Sequence, residues 1–297
     1  MGASRKGSAA IVVTCFNDRE TLPETIASIR RDATQTELVV VDDGSTDTRT
    51  LAVLDELEQQ GVRVLHQPNG GQARAAMAGV EATSAPYVMR FDADDLLEPG
   101  AIDLLVEALD RTPGAAAAWG DVQTVGLTNF RIPGIPALDP WLVTHTNCMT
   151  GSGTLMRRSA LTDVGGWQLR KGFEDWDVWM GLAERGYTGI YVPGVVFCYR
   201  RDGVGALAGW LPQTPSYYDE LRGRHPALFA ARRENRRSSA APLALKLAVM
   251  MVEALPLLGR LTRIQLNELF TRLLWSGGLR QTATMAVAAF TIRVRRA

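Results

Sequence analysis

Three short stretches bring carboxylates together at spacings that suit metal and sugar chemistry. Phe91-Asp92-Ala93-Asp94-Asp95 is the densest. In an extended segment residues i and i+2 share a face, so Asp92 and Asp94 converge on one ligand and Asp95 turns aside. Two carboxylates packed together repel each other unless a cation lies between them. All-oxygen donors select a hard divalent ion, magnesium or manganese. Mg²⁺ takes few carboxylates and completes its shell with phosphate oxygens, which points to a nucleotide diphosphate as the second ligand. The other reading is an acidic turn that caps a helix starting at Leu96. The segment lacks the longer acidic series, ending in Glu, of an EF-hand loop.

Asp42-Asp43-Gly44-Ser45-Thr46-Asp47 follows an apolar run, where carboxylates suit hydrogen bonding to a base edge or ribose hydroxyls; a plain turn has the same composition. The third stretch is Phe173-Glu174-Asp175-Trp176-Asp177. Trp176, Trp179, Met180 and Ala183 fall on one helical face and read as core. Glu174 and Asp175 then stand at a helix start. The helix dipole lowers the pKa of a base there, and neighbouring carboxylates or a bound diphosphate raise it. A capping Asp is the alternative. Asn69-Gly70-Gly71 before a helix could cradle phosphate through backbone amides, but it has neither the Walker Lys-Ser/Thr pair nor a GxGxxG pattern. His66, His145 and His225 are isolated, and no nucleophilic triad is legible.

The surrounding chain alternates strand and helix. Ala10–Thr14 and Leu38–Val41 read as buried strands, Val62–His66 as a third strand and Tyr87–Phe91 as a fourth. Helical spacing joins Leu22, Ile26 and Ile29, with Thr21 as a cap and Pro23 in the first turn. It also joins Leu51, Leu54 and Leu57, and covers Gln72 to Thr83 and Leu97 to Leu109. Such alternation predicts an α/β fold, a mostly parallel sheet flanked by helices, whose ligands bind beyond the carboxyl ends of the strands. Further on, Ala116–Val122, Gly151–Met156 and Ile190–Tyr199 read as extended, Ser159–Val164 as a short helix, and the segment ending at Arg185 as a longer one.

Composition sets the class. With 297 residues, 46% hydrophobic and 22% charged, disorder and disulfide scaffolds are excluded. Thirty-two basic groups balance 32 acidic ones. Residues 1–200 carry 17 basic and 26 acidic groups, and residues 201–297 carry 15 and 6. The basic tail suits an anionic surface. Cys15, Cys148 and Cys198 are scattered, so a zinc site is disfavoured and reduced cytosolic thiols are expected. No secretory signal or uninterrupted membrane span is read, since Lys246, Glu253 and Pro256 break the most apolar stretch.

Taken in order, the motifs resemble the inverting family 2 glycosyltransferases of the GT-A fold. They are Val12-Val-Thr-Cys-Phe-Asn17, Val39-Val-Val-Asp-Asp-Gly-Ser-Thr-Asp47, Asn69-Gly-Gly71, Phe91-Asp-Ala-Asp-Asp95, Gly151-Ser-Gly-Thr154 with Val164-Gly-Gly-Trp167, and Phe173-Glu-Asp-Trp-Asp-Val-Trp179. The resemblance covers roughly residues 9–202. It implies transfer of a sugar from a nucleotide-diphosphate sugar, a UDP-sugar favoured, to a hydroxyl of a glycan or lipid-linked acceptor. It implies Thr14, Phe16, Asp42 and Asp43 at the nucleoside, Asp92 at the donor and the metal, and Asp94 as the direct ligand of Mn²⁺ or Mg²⁺. Asp175 matches the catalytic base and Glu174 its support. The chain departs from the family at Ala76-Met77, where Arg-Asn or Leu-Asn is frequent, and at Asp202, where a His is frequent.

The expected organisation is a short N-terminus over 1–8, a GT-A domain over 9–210 and a basic helical extension over 211–297. The extension has two readings, a peripheral contact with anionic membrane and a helical cap or dimer contact. The location expected is cytoplasmic, peripheral on the inner membrane face under the first reading. Nucleic-acid binding is disfavoured because no aromatic residues interleave the basic run. The rival functions are an inactive nucleotide-sugar-binding partner and a sugar-phosphate nucleotidyltransferase. The latter needs a Gly-rich basic loop that Thr14-Cys-Phe-Asn-Asp18 does not supply.

Overall fold

The computed structural model describes residues 9–18, 20–32, 36–169, 172–201, 214–255 and 257–274. The expected N-terminal segment 1–8, the 210/211 boundary, Asp202 and the apolar, basic ending Phe290–Arg296 lie outside them.

A mixed sheet forms the centre. Its strands are β1 (Ala9–Cys15), β2 (Glu37–Asp42), β3 (Arg63–His66), β4 (Tyr87–Asp92), β5 (Leu96–Leu97), β6 (Ala115–Gly126), β7 (Arg131–Ile132), β8 (Leu155–Arg157) and β9 (Thr188–Arg201), in the order β3-β2-β1-β4-β8-β6-β9-β5, with β7 on β6. The first four strands are parallel, as their strand–helix alternation requires. β8 runs antiparallel to both β4 and β6 and so joins that half to the parallel β6–β9 pair.

Helices cover both faces. On one, α1 (Leu22–Asp32), α2 (Thr48–Gln59) and α4 (Ala101–Arg111) pack with Ala9, Ile11 and Val13 of β1. On the other, α3 (Gln72–Glu81) packs with Ala10 and Val12. Period-two alternation sends these residues of β1 to opposite cores, and both faces are apolar because both are covered. α3 is rich in Ala and Gly because it lies close against the sheet. A Cβ on Gly79 would stand 2.2 Å from Val12 Cγ1.

The second core also takes α5 (Arg158–Asp163) and α6 (Glu174–Glu184), where Trp176, Trp179, Met180 and Ala183 are all buried as the helical spacing requires. The described part of the tail is helical: α7 (Thr214–Arg224), α8 (Pro226–Ala230), α9 (Arg232–Ser238), α10 (Leu243–Ala254) and α11 (Arg260–Leu274). It packs on the domain through specific polar contacts. Tyr218 Oη donates to Thr144 O at 2.7 Å, Arg232 Nε donates to Thr144 Oγ1 at 3.0 Å, and Arg224 and His225 hold Asp177.

Two local expectations change. The helix placed over Leu97 to Leu109 begins at Ala101, because Gly100 adopts φ 76°, which stops the helix from extending backward, and Leu96-Leu97 pair with β9 instead. The extended segment placed at Gly151–Met156 is a turn through Gly153, at φ 71°, and the strand starts at Leu155.

Candidate active site

All three carboxylate stretches meet at one end of the sheet. Asp92 closes β4, Asp42 closes β2, and the start of α6 carries Glu174 and Asp175. Parallel pairing sets Thr14 of β1 opposite both Val41 and Asp92, so these strand ends align.

The β2 loop is held by its own acids. Asp42 accepts from Ser45 N at 2.9 Å, and its Oδ2 lies 3.0 Å from His66 Nδ1. Asp43 accepts from Gln67 Nε2 at 2.7 Å and from Gly70 N and Gly71 N at 2.8 Å each. The amides read as a phosphate cradle are thus directed onto Asp43, which fixes the Asn69-Gly70-Gly71 loop to the end of β2. Asn17, at φ 55°, links β1 to the same loop by accepting from Thr46 N and Asp47 N. Around this loop Phe16 is 51% exposed, and Thr14 Oγ1 is buried without a hydrogen-bond partner. An exposed ring beside an unpaired hydroxyl and a fixed acidic loop suits a flat, polar-edged ligand.

Asp92, Asp94 and Asp95 each offer an oxygen within 4.8 Å of the others. The sequence spacing turned Asp95 aside; the structure brings it into the cluster. The tight turn after β4, with Asp95 N donating to Asp92 O at 3.2 Å, ends the extended geometry on which that expectation stood. Asp95 Oδ1 accepts from Arg200 N at 3.3 Å, while its Oδ2 is buried with no hydrogen-bond partner. Burial and the neighbouring Asp92 push Asp94 up to about 6. Burial, then Asp92 and Asp94, push Asp95 up as well. Three crowded oxygens with an unpaired buried one fit a hard divalent cation.

Asp175 is half-buried at the first turn of α6. Burial, then the Glu174 charge, raise it to about 6 against the pull of Arg90. It accepts from Trp176 N at 2.8 Å, and Asn147 Nδ2 lies 3.4 Å from both its oxygens. Burial, not the neighbouring charge, is the larger cause of the rise. Phe173, just before the helix, takes φ 61°, costly for a residue with a side chain. Its ring packs on Trp176 and on Tyr217 of the tail, with centroids 5.8 and 5.6 Å away. These contacts hold the strained start of α6 in place.

Sequence reasoning missed Arg90. It is buried, Nη1 donates to Glu174 Oε1, and Nη2 stands 3.8 Å from Asp92 Oδ1. Burial lowers its pKa, but the charges of Asp92, Glu174 and Asp175 outweigh that and raise it overall. The available signal was an arginine inside the apolar strand Tyr-Val-Met-Arg-Phe, a position tolerated only with paired charge. Gly151 leaves room for this group, since a Cβ there would fall 2.5 Å from Arg90 Nη2 and 3.0 Å from Asp175 Cβ. Gln72, at the start of α3, donates to Asp92 Oδ1 at 2.6 Å and was likewise missed.

Known proteins bear on this site. A family model described as Glycosyl transferase family 2 matches residues 10–165, and one described as Glycosyl transferase family group 2 matches residues 142–291. The poly-beta-1,6-N-acetyl-D-glucosamine synthase of Staphylococcus aureus (strain COL) is 27% identical over 197 residues, covering 61% of this chain and 47% of that protein. The synthase of the same name from Staphylococcus epidermidis is 26% identical over 180 residues, covering 56% and 43%. The chain spans about half the length of the curated relatives it matches. Among solved structures, the mannosyltransferase PcManGT from Pyrobaculum calidifontis, in complex with GDP-Man and Mn²⁺, superposes with a TM-score of 0.54 at 19% identity, covering 91% of this chain and 87% of that one. S. aureus TarS in complex with UDP-GlcNAc gives 0.55 at 15% identity, covering 89% and 90%. These likenesses are of fold.

Proposed function

The chain belongs to glycosyl transferase family 2, and on that premise we propose that it moves a sugar from a nucleotide-diphosphate sugar to an acceptor hydroxyl with inversion at the anomeric carbon. The observation that carries this reading is the single arginine, Arg90, that touches both Glu174 beside Asp175 and Asp92 in the acidic cluster.

Asp92 and Asp94, with Asp95 beside them, would hold a divalent cation, Mn²⁺ or Mg²⁺, whose charge offsets the departing diphosphate. Thr14 and Phe16 would meet the nucleoside, a role supported by the buried, unpaired Thr14 Oγ1 and the exposed Phe16 ring. The Asp42 and Asp43 carboxylates shape the loop beside it. Asp175 takes the proton from the acceptor hydroxyl as that oxygen attacks the face opposite the diphosphate. A carboxylate raised to about 6 is still ionised near neutrality and is a stronger base than an ordinary Asp. Glu174, fixed by Arg90, keeps the start of α6 in position. One displacement needs one base, and the oxocarbenium-like transition state is that of glycosyl transfer generally.

The donor favoured is a UDP-sugar and the acceptor a glycan or lipid-linked sugar, in the synthesis of cell-surface polysaccharide or glycolipid. The name of the relatives, a polysaccharide synthase, supports that class. Contact of the 211–297 extension with an anionic membrane on the cytoplasmic side belongs to the same reading.

Thermal unfolding with a panel of UDP-, GDP- and dTDP-sugars, with and without Mn²⁺, tests the donor site. A ligand at 100 times its dissociation constant adds about 2.7 kcal/mol. A Mn²⁺-dependent shift for one donor, lost in Asp94→Ala, is expected. No shift for any donor in the folded protein would count against the donor site, and so against both the transferase reading and the nucleotide-sugar-binding partner reading; a shift without turnover would favour the latter.

A further inference from the structure

The exposed face of α10 is apolar throughout, and nothing among the described residues covers it. Leu243, Leu247, Met250, Met251 and Leu255 recur at helical spacing on the outer side, and Leu257 follows in the turn. Leu243 is 71% exposed, Met251 69% and Leu257 97%. The opposite side of the same helix, Leu245, Val249 and Val252, is buried in the core. A helix at the rim of a water-exposed cap should carry charge outward, and contiguous apolar patches on soluble surfaces mark interaction sites.

The rim is basic. Arg236 reaches Met250, its Nη1 3.2 Å from the sulfur, and Arg263 Nη2 donates to Leu255 O at 2.9 Å, so arginines border the patch on two sides. Arg233 and Arg237 on α9 are exposed as well. α10 has 12 residues, about 18 Å of helix against a hydrocarbon core of about 30 Å. No described helix is long and apolar enough to cross a membrane.

We propose that the Leu243–Leu257 face is a membrane-docking surface, with α10 lying in the plane of an anionic lipid bilayer. Its leucines and methionines enter the acyl boundary, and the arginines of α9 and α11 meet the headgroups. This gives the membrane contact of the preceding reading a defined surface. It rests on exposure and charge, and does not depend on the sugar-transfer reaction.

Flotation of the full chain with vesicles tests it, using phosphatidylcholine alone and phosphatidylcholine mixed with phosphatidylglycerol. Binding to the mixed vesicles, weakened by salt, is expected. Leu247→Glu with Met251→Glu should cut it at least about tenfold without lowering Tm. Leu257→Glu, at a fully exposed position, provides a second variant should the pair disturb folding. Three results would overturn the proposal. The wild-type chain could stay unbound with both vesicle types. The variants could bind like wild type. Sedimentation velocity could show a wild-type dimer that the same substitutions disperse, or Tm could fall on making them, in a chain that binds no vesicles, which would assign the face to a second copy or to residues 275–297. Donor-induced stabilisation is measured alongside, so failure of the lipid contact and failure of the transfer reading stay distinguishable.

Discussion

Arg90 stands between Glu174 and Asp92, donating to the first and lying 3.8 Å from the second. One buried guanidinium therefore links the helix that carries the proposed base to the strand that carries the acidic cluster. These two parts are 82 residues apart along the chain between Asp92 and Glu174.

Arg90→Met removes the partner of a buried carboxylate. Glu174 is only 6% exposed in its side chain, so its charge is left uncompensated. A loss of about 3–5 kcal/mol is expected, seen as a lower midpoint in urea unfolding. Arg90→Lys keeps the charge and loses the fork, so it should fall between wild type and Arg90→Met.

Asp175→Asn should abolish transfer, by a factor of about 10²–10⁴ if the group acts only as a base. The same change should stabilise the protein at neutral pH. Asp175 is raised from 3.8 to about 6 by folding, so the folded state binds its proton more tightly than the unfolded state. Its contribution to stability is most favourable below pH 3.8, falls as pH rises to about 6, and stays at that lower level above. The Tm advantage of Asp175→Asn should therefore grow across that window and then level off. The gain is roughly 1–3 kcal/mol, discounted for partial exposure to water. Equal Tm for the two proteins at pH 5 and pH 8 would contradict the assignment.

Gly151→Ala places a methyl group 2.5 Å from Arg90 Nη2 and 3.0 Å from Asp175 Cβ. Overpacking of this kind costs about 1–3 kcal/mol. The turnover rate should fall while donor-induced stabilisation, governed by the acidic cluster and the β2 loop, is largely kept. A raised donor KM with kcat unchanged would mean Gly151 serves donor binding instead.

Asp177→Ala should loosen the tail. Asp177 accepts from Arg224 Nε at 2.7 Å and lies 2.9 Å from His225 Nε2; these partners hold its pKa down against burial. Limited proteolysis should cut earlier near residues 214–230 than in wild type. Tyr217 braces Phe173, so the proposed base should become less effective as well. A digestion pattern like wild type would show that other contacts suffice to seat α7 and α8.

Much of the first half of the fold was legible before any coordinates. Apolar runs of strand length alternating with helical spacing gave the existence and order of β1 to β4 and α1 to α3, with ends that differ by up to about three residues. β1 and β2 are covered on both faces, so their apolar runs are uninterrupted and easy to read, whereas β3 at the sheet edge is partly exposed and β4 carries Arg90. The second half was harder. β8 has three residues and runs antiparallel to its neighbours, and β5 has two, so neither carries a period of its own. Leu96-Leu97 looked like the start of α4 because an apolar pair fits either element until Gly100 sets the boundary.

For the site, residue type and spacing singled out Asp92, Asp94, Glu174 and Asp175 as candidate metal ligands and base; a helix cap explains each stretch alone, and it is their order along the chain that favours a site. Tertiary structure decided the rest. It placed Asp95 in the cluster and turned the Asn69-Gly70-Gly71 amides onto Asp43. It set Arg90 between two acids distant in sequence and left one face of α10 bare. Each depends on which strand ends adjoin and which helix covers them. Local periodicity carries no such information, because sheet order and helix seating come from packing between segments far apart in the chain.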